Sequence, residues 1–201
     1  KPLRFQYHSG QYLPDWHPWE DYRKFYVSKK ETGACREIVP FELVWLIDMF
    51  GDIKSVLGRK AKVSDLEADI DDIYNILLEF SNGIEALMTI DVIARFPFRQ
   101  LKILGEKGVI FADWSSKNVK YFTKENDWIE NKVYDGIVEE DYINGEGPYI
   151  EEMNAFLKSI KKETNQPYTF EEDLKILKIL ESIEKSSDNG SKEKIEKIFS
   201  H

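Results

Sequence analysis

The chain has 201 residues, of which 42% are hydrophobic and 13% aromatic, enough to bury the core of one globular domain, so a disordered chain is excluded. Its 28 Lys and Arg against 37 Asp and Glu give a formal net charge of −9, which disfavours binding to nucleic acid and to anionic membrane surfaces. No apolar stretch approaches the roughly 20 residues that a membrane span needs.

Cys35 is the only cysteine, which excludes an internal disulfide framework. A single thiol favours a reducing, cytoplasmic setting, although a processed secreted chain without disulfides has the same composition. The sequence begins at Lys1 rather than at a methionine, and we therefore expect it to be part of a longer polypeptide.

Residues 1–35 are predicted to form an ordered aromatic loop. Leu3–Tyr7 has an extended pattern, but Pro14 and Pro18 restrict the backbone and disfavour helix. The segment Tyr12–Arg23 places aromatic rings beside carboxylates, a histidine and a guanidinium. Rings stack on the C–H faces of sugars while polar groups bond their hydroxyls, so this mixture suits a polyhydroxylated ligand. The alternative is a satellite core that anchors a long loop.

Residues 36–51 are predicted to form a buried helix that ends at Gly51, in the position of a C-terminal cap. Its apolar positions follow helical spacing: Val39, Leu43, Leu46, Ile47 and Phe50. Glu37 precedes this apolar run and neighbours Arg36, which makes it a candidate functional carboxylate. A surface ion pair is the other interpretation of these two residues.

Residues 53–123 are predicted to form a sheet. Apolar residues alternate over Ile84–Val92, which is typical of a half-buried strand. Asn82-Gly83 joins this strand to Ile73–Phe80 in a tight hairpin. The other predicted strands are Ile53–Val63, Phe98–Leu104, Val109–Trp114 and Val119–Thr123. Short connections between successive strands indicate a largely antiparallel sheet.

Residues 148–199 are predicted to be helical. Gly147-Pro148 is a start signal for a first helix, whose apolar face is Tyr149, Met153, Phe156, Leu157 and Ile160. Thr169–Glu172 has the spacing of a capping box that begins a second helix. A short charged helix is predicted over Lys192–Phe199.

Together these elements predict a single α+β domain over residues 1–201, with an open, largely antiparallel sheet and helices packed on one face. The open face would favour a homodimer. Three histidines and one cysteine show no metal-ligand spacing. The sequence has no G-x-G-x-x-G, and a hairpin turn explains Gly105 and Gly108. The acidic run over 65–72 is interpreted as a solvated loop or strand edge.

A series of short motifs in a fixed order resembles the C-terminal half of the Gfo/Idh/MocA oxidoreductases, a family named for glucose–fructose oxidoreductase, inositol dehydrogenase and a rhizopine-catabolism protein. The motifs are Gly10–Pro18, Asp21-Tyr22-Arg23, Trp45–Gly51, Phe80–Gly83 and Leu104–Gly108. Each motif is weak alone, but the ordered series spans nearly the whole chain.

The resemblance implies a two-domain enzyme. An N-terminal Rossmann domain would hold NAD or NADP, and a C-terminal α+β domain would supply substrate contacts and an open sheet for oligomerisation. We expect this chain to be the second domain, without the Rossmann domain and without the Glu-Lys-Pro segment that carries the family's catalytic lysine. We therefore expect no dinucleotide site in the chain itself.

The resemblance also assigns positions near the start of the buried helix. Counted back from Gly51, the acidic position of the family is Glu37 and its histidine is replaced by Phe41, while Val44 replaces an aspartate. Phenylalanine cannot relay a proton, so three interpretations stay open. Glu37 could act with the lysine of the missing domain, His17 could act instead, or the protein could bind its ligand without turnover.

The sequence thus predicts the substrate-binding and oligomerisation domain of an NAD(P)-dependent oxidoreductase acting on a sugar, cyclitol or sugar nucleotide. Glu37 and His17 are the acid/base candidates. The predicted substrate contacts are Tyr12, Trp16, His17, Tyr22, Arg23, Arg36 and Arg95. The alternative is a non-catalytic ligand-binding or assembly module, and a glycoside hydrolase using Asp15, Glu20 and Asp21 is a distant third possibility.

Overall fold

The computed structural model describes residues 1–133, 146–165 and 168–196, in which nine strands form one sheet. The strands are β1 (Pro2–Tyr12), β2 (Ile53–Ala61), β3 (Ile73–Phe80), β4 (Glu85–Asp91), β5 (Ile93–Gly105), β6 (Gly108–Asp113), β7 (Asn118–Thr123), β8 (Ile129–Lys132) and β9 (Glu193–Lys194). The helices are α1 (Cys35–Phe50), α2 (Gly147–Ile160) and α3 (Phe170–Asn189).

The strand order is β8-β7-β6-β5-β1-β4-β3-β2-β9. Within the described ranges, β1 and β4 are parallel and every other neighbouring pair is antiparallel. The core lies between one face of this sheet and helices α1 and α3. The predicted α+β fold, with an open and largely antiparallel sheet, is confirmed.

The first strand corrects the prediction of a loop over residues 1–35. Pro2–Tyr12 runs through the middle of the sheet, where Phe5 and Tyr7 are buried in the core. Gln6 and His8 alternate with them and face the other side of the sheet. Because the partners of β1 are β4 and β5, no turn next to β1 marks it in the sequence. The loop proper covers residues 13–34 and contains three short 3-10 turns.

Helix α1 forms as the apolar spacing predicts. It ends at Gly51, whose φ of 95° suits a residue without a Cβ and whose N–H bonds the Ile47 carbonyl. Phe50 in its last turn stacks on Phe5 with the ring centroids 4.1 Å apart, and Phe80 packs at the edge of this pair. The end of α1 is thereby fixed on the centre of the sheet.

Helix α3 begins with the predicted capping box, in which Thr169 and Glu172 exchange hydrogen bonds with each other's backbone N–H. Its C-terminal turns cover the edge of β2. Ser186 Oγ accepts from the Gly58 N–H, and Ser187 Oγ accepts from the Lys60 N–H, both at 3.0 Å. These bonds satisfy backbone donors that an uncovered edge strand would leave free.

Helix α2 differs from the other two, since none of its residues is buried. Its apolar face is exposed along the whole length of the helix: Tyr149, Ile150, Met153, Phe156, Leu157 and Ile160. No helix in the described ranges has the length and apolar character needed to cross a membrane.

The prediction of a helix over Lys192–Phe199 is wrong for its described part. Glu193–Lys194 forms the short strand β9, which pairs with Ser55 and Val56 of β2. Lys192 adds an ion pair to Glu79 on β3. These contacts with the sheet outweigh the weak helix propensity of a short charged segment. Residues 197–201 lie outside the described ranges.

The face of the sheet opposite the helices carries a continuous row of paired residues. From β7 to β2 the row is Lys120, Phe111, Lys102, Gln6, Leu87, Leu77 and Leu57. At the β2 end of this row three leucines lie side by side, and at the β7 end a phenylalanine lies between two lysines. A cavity of about 560 Å³ lies over the β7 end of the row. His8 projects into this cavity and forms a hydrogen bond of 2.6 Å with the buried Asp91 carboxylate.

Candidate functional site

The exposed side of the first turns of α1 carries the predicted acid/base residue. Glu37 is exposed, and its Oε1 accepts a hydrogen bond of 3.0 Å from the Tyr26 hydroxyl on the loop. Burial raises the pKa of Tyr26, and the hydrogen bond and negative charge of Glu37 raise it further. The pair therefore holds a proton on the tyrosine, and the second oxygen of Glu37 has no hydrogen-bond donor within the described ranges.

Phe41 lies one helical turn beyond Glu37 on the same side of α1. Its ring is 63% exposed, which is unusual for a phenylalanine on a helix that otherwise packs on the core. The Arg99 guanidinium of β5 lies over this ring, with 5.7 Å between Cζ and the ring centroid. An exposed apolar ring with a cation over it thus lies one helical turn from Glu37.

Directly behind Phe41, Glu42 is 1% exposed and forms a polar cluster in the core. Its Oε2 accepts from the Tyr7 hydroxyl at 2.6 Å and from Trp45 Nε1 at 2.7 Å. Arg99 Nε lies 3.3 Å from Oε1, an ion-pair contact without hydrogen-bond alignment. Burial, together with the neighbouring Glu42, raises the pKa of Tyr7, so this hydroxyl stays a donor.

The Glu42 cluster was not predicted from the sequence. A glutamate within the buried apolar stretch of a helix, with a tryptophan three residues later, is the only local signal for it. Tyr7 and Arg99 come from strands far along the chain, so their contact with Glu42 depends on the fold.

The aromatic loop is anchored at both of its ends. Leu13 and Val27 are buried, and Trp16 packs against the core, although its Nε1 is buried without a hydrogen-bond acceptor in the described residues. His17 is exposed, with its ring next to Trp19 at 5.4 Å and Phe25 at 6.5 Å between centroids. The loop therefore combines the two interpretations of its sequence: an anchored core and a surface of exposed rings.

At the end of β1, the predicted residues Tyr12 and Arg95 meet. The Arg95 guanidinium stacks on the Tyr12 ring with Cζ 3.7 Å from the centroid. Such a cation–π contact orients the guanidinium and shields one of its faces from water. Its edge, which carries the N–H donors, remains the part that a ligand could contact.

Arg23 and Tyr22 instead tie the loop to the segment after β2. Arg23 bonds the Asp21 carboxylate at 2.7 and 3.0 Å and Glu67 at 2.6 Å, while the Tyr22 hydroxyl accepts from the Glu67 N–H at 3.1 Å. The hydrogen bond from Arg23 lowers the pKa of Asp21. These side chains have protein partners that a substrate would have to displace.

Arg36 is likewise engaged, on the side of α1 that faces α3. Its Nε and Nη2 bond the two oxygens of Glu184 at 2.7 and 3.3 Å, and its Nη1 donates to the Glu31 carbonyl at 2.8 Å. Tyr74 also donates to Glu184, at 3.2 Å. Arg36 joins α1 to α3, and its predicted role in substrate binding stays untested.

A search of curated protein sequences finds no significant match. The family model of the GFO/IDH/MocA C-terminal domain matches residues 1–111, more than half of the chain. The chain belongs to the Gfo/Idh/MocA family. The match includes β1, the aromatic loop, α1 and the strands as far as β6.

Solved structures share this fold at low sequence identity. Levoglucosan dehydrogenase in complex with NADH is 18% identical, with a TM-score of 0.79 over 98% of this chain and 59% of that chain. An oxidoreductase from Agrobacterium radiobacter, in complex with NAD+, L-tartaric acid and magnesium, is 14% identical, with a TM-score of 0.81 over 97% and 57%. A NAD-binding oxidoreductase from Klebsiella pneumoniae is 16% identical, with a TM-score of 0.76 over 98% and 59%.

This Gfo/Idh/MocA chain thus spans less than two thirds of the length of these proteins. Its sequence has no G-x-G-x-x-G motif, and Gly105 and Gly108 belong to the β5–β6 hairpin. The described residues also contain no group of three or more His, Cys, Asp or Glu side chains that could hold a metal ion.

Proposed function

We propose that this chain is the substrate-binding and oligomerisation domain of an NAD(P)-dependent oxidoreductase that acts on a sugar, a cyclitol or a sugar nucleotide. Nicotinamide, held by a Rossmann domain, would supply or accept the hydride. The proposal rests on Glu37, which is exposed on the first turns of α1 and accepts a hydrogen bond from Tyr26 on the loop. Glu37 is at the acidic position that the family resemblance assigns.

In this proposal Glu37 accepts the proton of the substrate hydroxyl during oxidation and returns it during reduction. Tyr26 holds one carboxylate oxygen at 3.0 Å, which orients the other toward the ligand. Rings of the aromatic loop and the Arg95–Tyr12 pair would line the sugar, with His17 as the second acid/base candidate. Arg23 and Arg36 are assigned to holding the loop and α1, since both have carboxylate partners.

The test joins the chain to its Rossmann domain and follows NADH absorbance over a panel of sugars and cyclitols. Glu37→Gln removes the base and is expected to lower kcat by about 10²-fold or more. His17→Ala is the competing variant, and Asp48→Asn, an exposed acid in the last turn of α1, is the matched control. Full activity of Glu37→Gln would remove Glu37 from the mechanism.

Phe41 favours a second candidate function, a ligand-binding or assembly module without turnover. An exposed apolar ring stands where the family resemblance implies a histidine, so one proton-transfer group is lost. Binding of a polyol without NADH formation on any member of the panel would support this alternative.

The oligomerisation role is proposed for the open face of the sheet. Leu57 and Leu77 are 41% and 44% exposed and lie side by side with Leu87, which makes an apolar strip that a second copy could cover. Leu77→Asp should convert a dimer to monomer in light scattering, whereas Val63→Asp, at an exposed loop residue, should not. A wild-type protein that stays monomeric at high concentration would overturn this role.

The proposal also includes a cytoplasmic location. The single thiol, Cys35, is buried and free, and burial raises its pKa, so it is kept in the unreactive protonated form. A protein with one such thiol gains no stability from an oxidising compartment.

A further inference from the structure

Arg99 of β5 differs from Arg36 of α1 in that its guanidinium makes no side-chain hydrogen bond within the described ranges. Its Nε lies 3.3 Å from the Glu42 carboxylate oxygen Oε1, which receives no hydrogen bond from the described residues. Within the described ranges no acceptor bonds its Nη1 or Nη2, and the side chain is 35% exposed. The four N–H groups of these two nitrogens therefore have no hydrogen-bond acceptor in the part of the chain that the structure describes, in a partly exposed side chain beside Phe41.

Glu42 fixes this arginine in place. A carboxylate that is 1% exposed needs compensating partners, which Tyr7 and Trp45 supply at Oε2 and Arg99 supplies at Oε1. Because both donors at Oε2 come from rigid aromatic side chains, the carboxylate cannot turn away from the guanidinium. Arg99 is thus held from behind, with its outer edge unpaired.

The outer edge of the Arg99 guanidinium lies on the side of α1 that carries Phe41 and Glu37. Phe41 shields the guanidinium on one side, and Glu37 is four residues earlier on the same side of the helix, where side chains are about 5–6 Å apart. A ligand group bound to Arg99 would place the rest of a small sugar along α1, toward Glu37.

The donor geometry selects the ligand group. The outer edge of a guanidinium offers two parallel N–H donors, which match the two oxygens of a carboxylate, and charge-assisted hydrogen bonds are roughly twice as strong as neutral ones. A neutral hydroxyl uses only one of these donors at a time. We infer that Arg99 binds the carboxylate of a sugar acid, so the substrate is an acidic rather than a neutral polyhydroxylated compound; this inference rests on the proposed function.

The test measures binding by calorimetry with a matched pair of probes, D-gluconate and the neutral polyol D-glucitol. The wild-type chain should bind gluconate about tenfold or more tightly than glucitol, the size of effect expected for a charged hydrogen bond. Arg99→Met should reduce this preference to within about twofold, and Arg99→Lys, which keeps the charge but not the fork, should give an intermediate value. Lys102→Met is the control, since Lys102 lies on the same strand but faces the open side.

Arg99→Met leaves the Glu42 carboxylate without its cation, so the double variant Arg99→Met/Glu42→Gln is measured as well. Equal binding of the two probes by the wild type, or an unchanged preference in both methionine variants, would overturn the inference. If acids and neutral polyols are turned over alike by the enzyme with its Rossmann domain, the inference fails and the proposed function stands. If the preference depends on Arg99 but neither sugar acids nor neutral polyols are oxidised or reduced, the carboxylate-binding role of Arg99 stands and the proposed function fails.

Discussion

Helix α1 has an arginine–glutamate pair on each of two sides, and the two pairs are built differently. Toward α3, Arg36 meets both oxygens of Glu184 and also a backbone carbonyl. Toward β5, Arg99 Nε lies 3.3 Å from one oxygen of Glu42, and that oxygen receives no hydrogen bond from the described residues. Each nitrogen of the first guanidinium has a protein acceptor, whereas the second guanidinium makes no side-chain hydrogen bond within the described ranges.

The burial of the two carboxylates is also opposite. Glu184 is only partly buried and serves as the acceptor that joins α1, α3 and Tyr74. Glu42 is inside the core, where an uncompensated charge is costly, and its partners surround it on the protein side. A buried glutamate that holds a partly exposed arginine, as Glu42 holds Arg99, is suited to presenting that arginine to a ligand. A partly exposed glutamate bonded by an arginine, as Glu184 is by Arg36, is suited to joining two elements of the fold.

The largest expected effect comes from breaking the Glu42 cluster. Glu42→Ala leaves the buried Tyr7 hydroxyl and the partly buried Trp45 N–H without their acceptor, each of which costs about 1–3 kcal/mol, so the free energy of unfolding should fall by about 2–6 kcal/mol. Urea denaturation measures this loss. Glu42→Gln keeps an oxygen acceptor and should lose less. Equal stability of the alanine variant and the wild type would contradict the role of the cluster.

The next largest loss of stability is expected at Gly58, where β2 packs closely against α3. A Cβ added at Gly58 would lie 2.5 Å from the Ile183 carbonyl oxygen, which is backbone and cannot turn aside. Gly58→Ala should therefore lower the free energy of unfolding by about 1–3 kcal/mol, as overpacking does. The control is Gly105→Ala, whose nearest contact is 3.2 Å and whose loss should be smaller. A larger loss at Gly105 would show that α3 packs less tightly on β2 than the structure indicates.

Arg36→Met tests the joining role directly. Since the pair is partly exposed, solvent replaces some of the lost bonds, and the free energy of unfolding should fall by about 1–2 kcal/mol in urea denaturation. Calorimetry should show no change in gluconate affinity, because the side of α1 that carries Arg99 is unaltered. A loss of gluconate affinity as large as that of Arg99→Met would abolish the distinction between the two arginines.

The sequence predicted those parts of the fold that depend on near neighbours. Helix α1, the hairpin at Asn82-Gly83 and the capping box at Thr169 are determined by residues within one or two turns, and each is present. Strand β1 was missed because its pairing with β4 joins residues far apart in the chain. The short strand β9 was missed for the same reason, since its partner is β2.

In the candidate site too, the sequence predicted single residues but not their partners from distant parts of the chain. Glu37 could be proposed from its spacing to Gly51, but the partner Tyr26 comes from the loop. Arg36 was predicted as a substrate contact, but its partner Glu184, 148 residues away, could not be predicted from the sequence. Arg99 gave no signal at all, since only the folded sheet brings it to Glu42.

The smallest expected effect is a change in the pKa of Tyr26, which tests the ligand side of α1 at Glu37. Burial is the main cause that raises this pKa above its ordinary value of 10.0, and the hydrogen bond and charge of Glu37 add to it. Glu37→Gln should lower the pKa of Tyr26 while leaving it above 10.0, because burial remains. NMR of ring-labelled tyrosine measures the titration, with Tyr26→Phe to assign the signal.

The raised pKa of Tyr26 determines how the free energy of unfolding changes with pH. A raised pKa in the folded protein means that neutral Tyr26 contributes stability below pH 10.0, which is lost as the pH rises through the higher folded-state value. Tyr26→Phe should therefore be less stable than the wild type at neutral pH, and the difference should narrow in alkaline solution. A difference that stays constant with pH would mean that the folded protein does not raise the pKa of Tyr26, so that neither burial nor Glu37 acts on its hydroxyl.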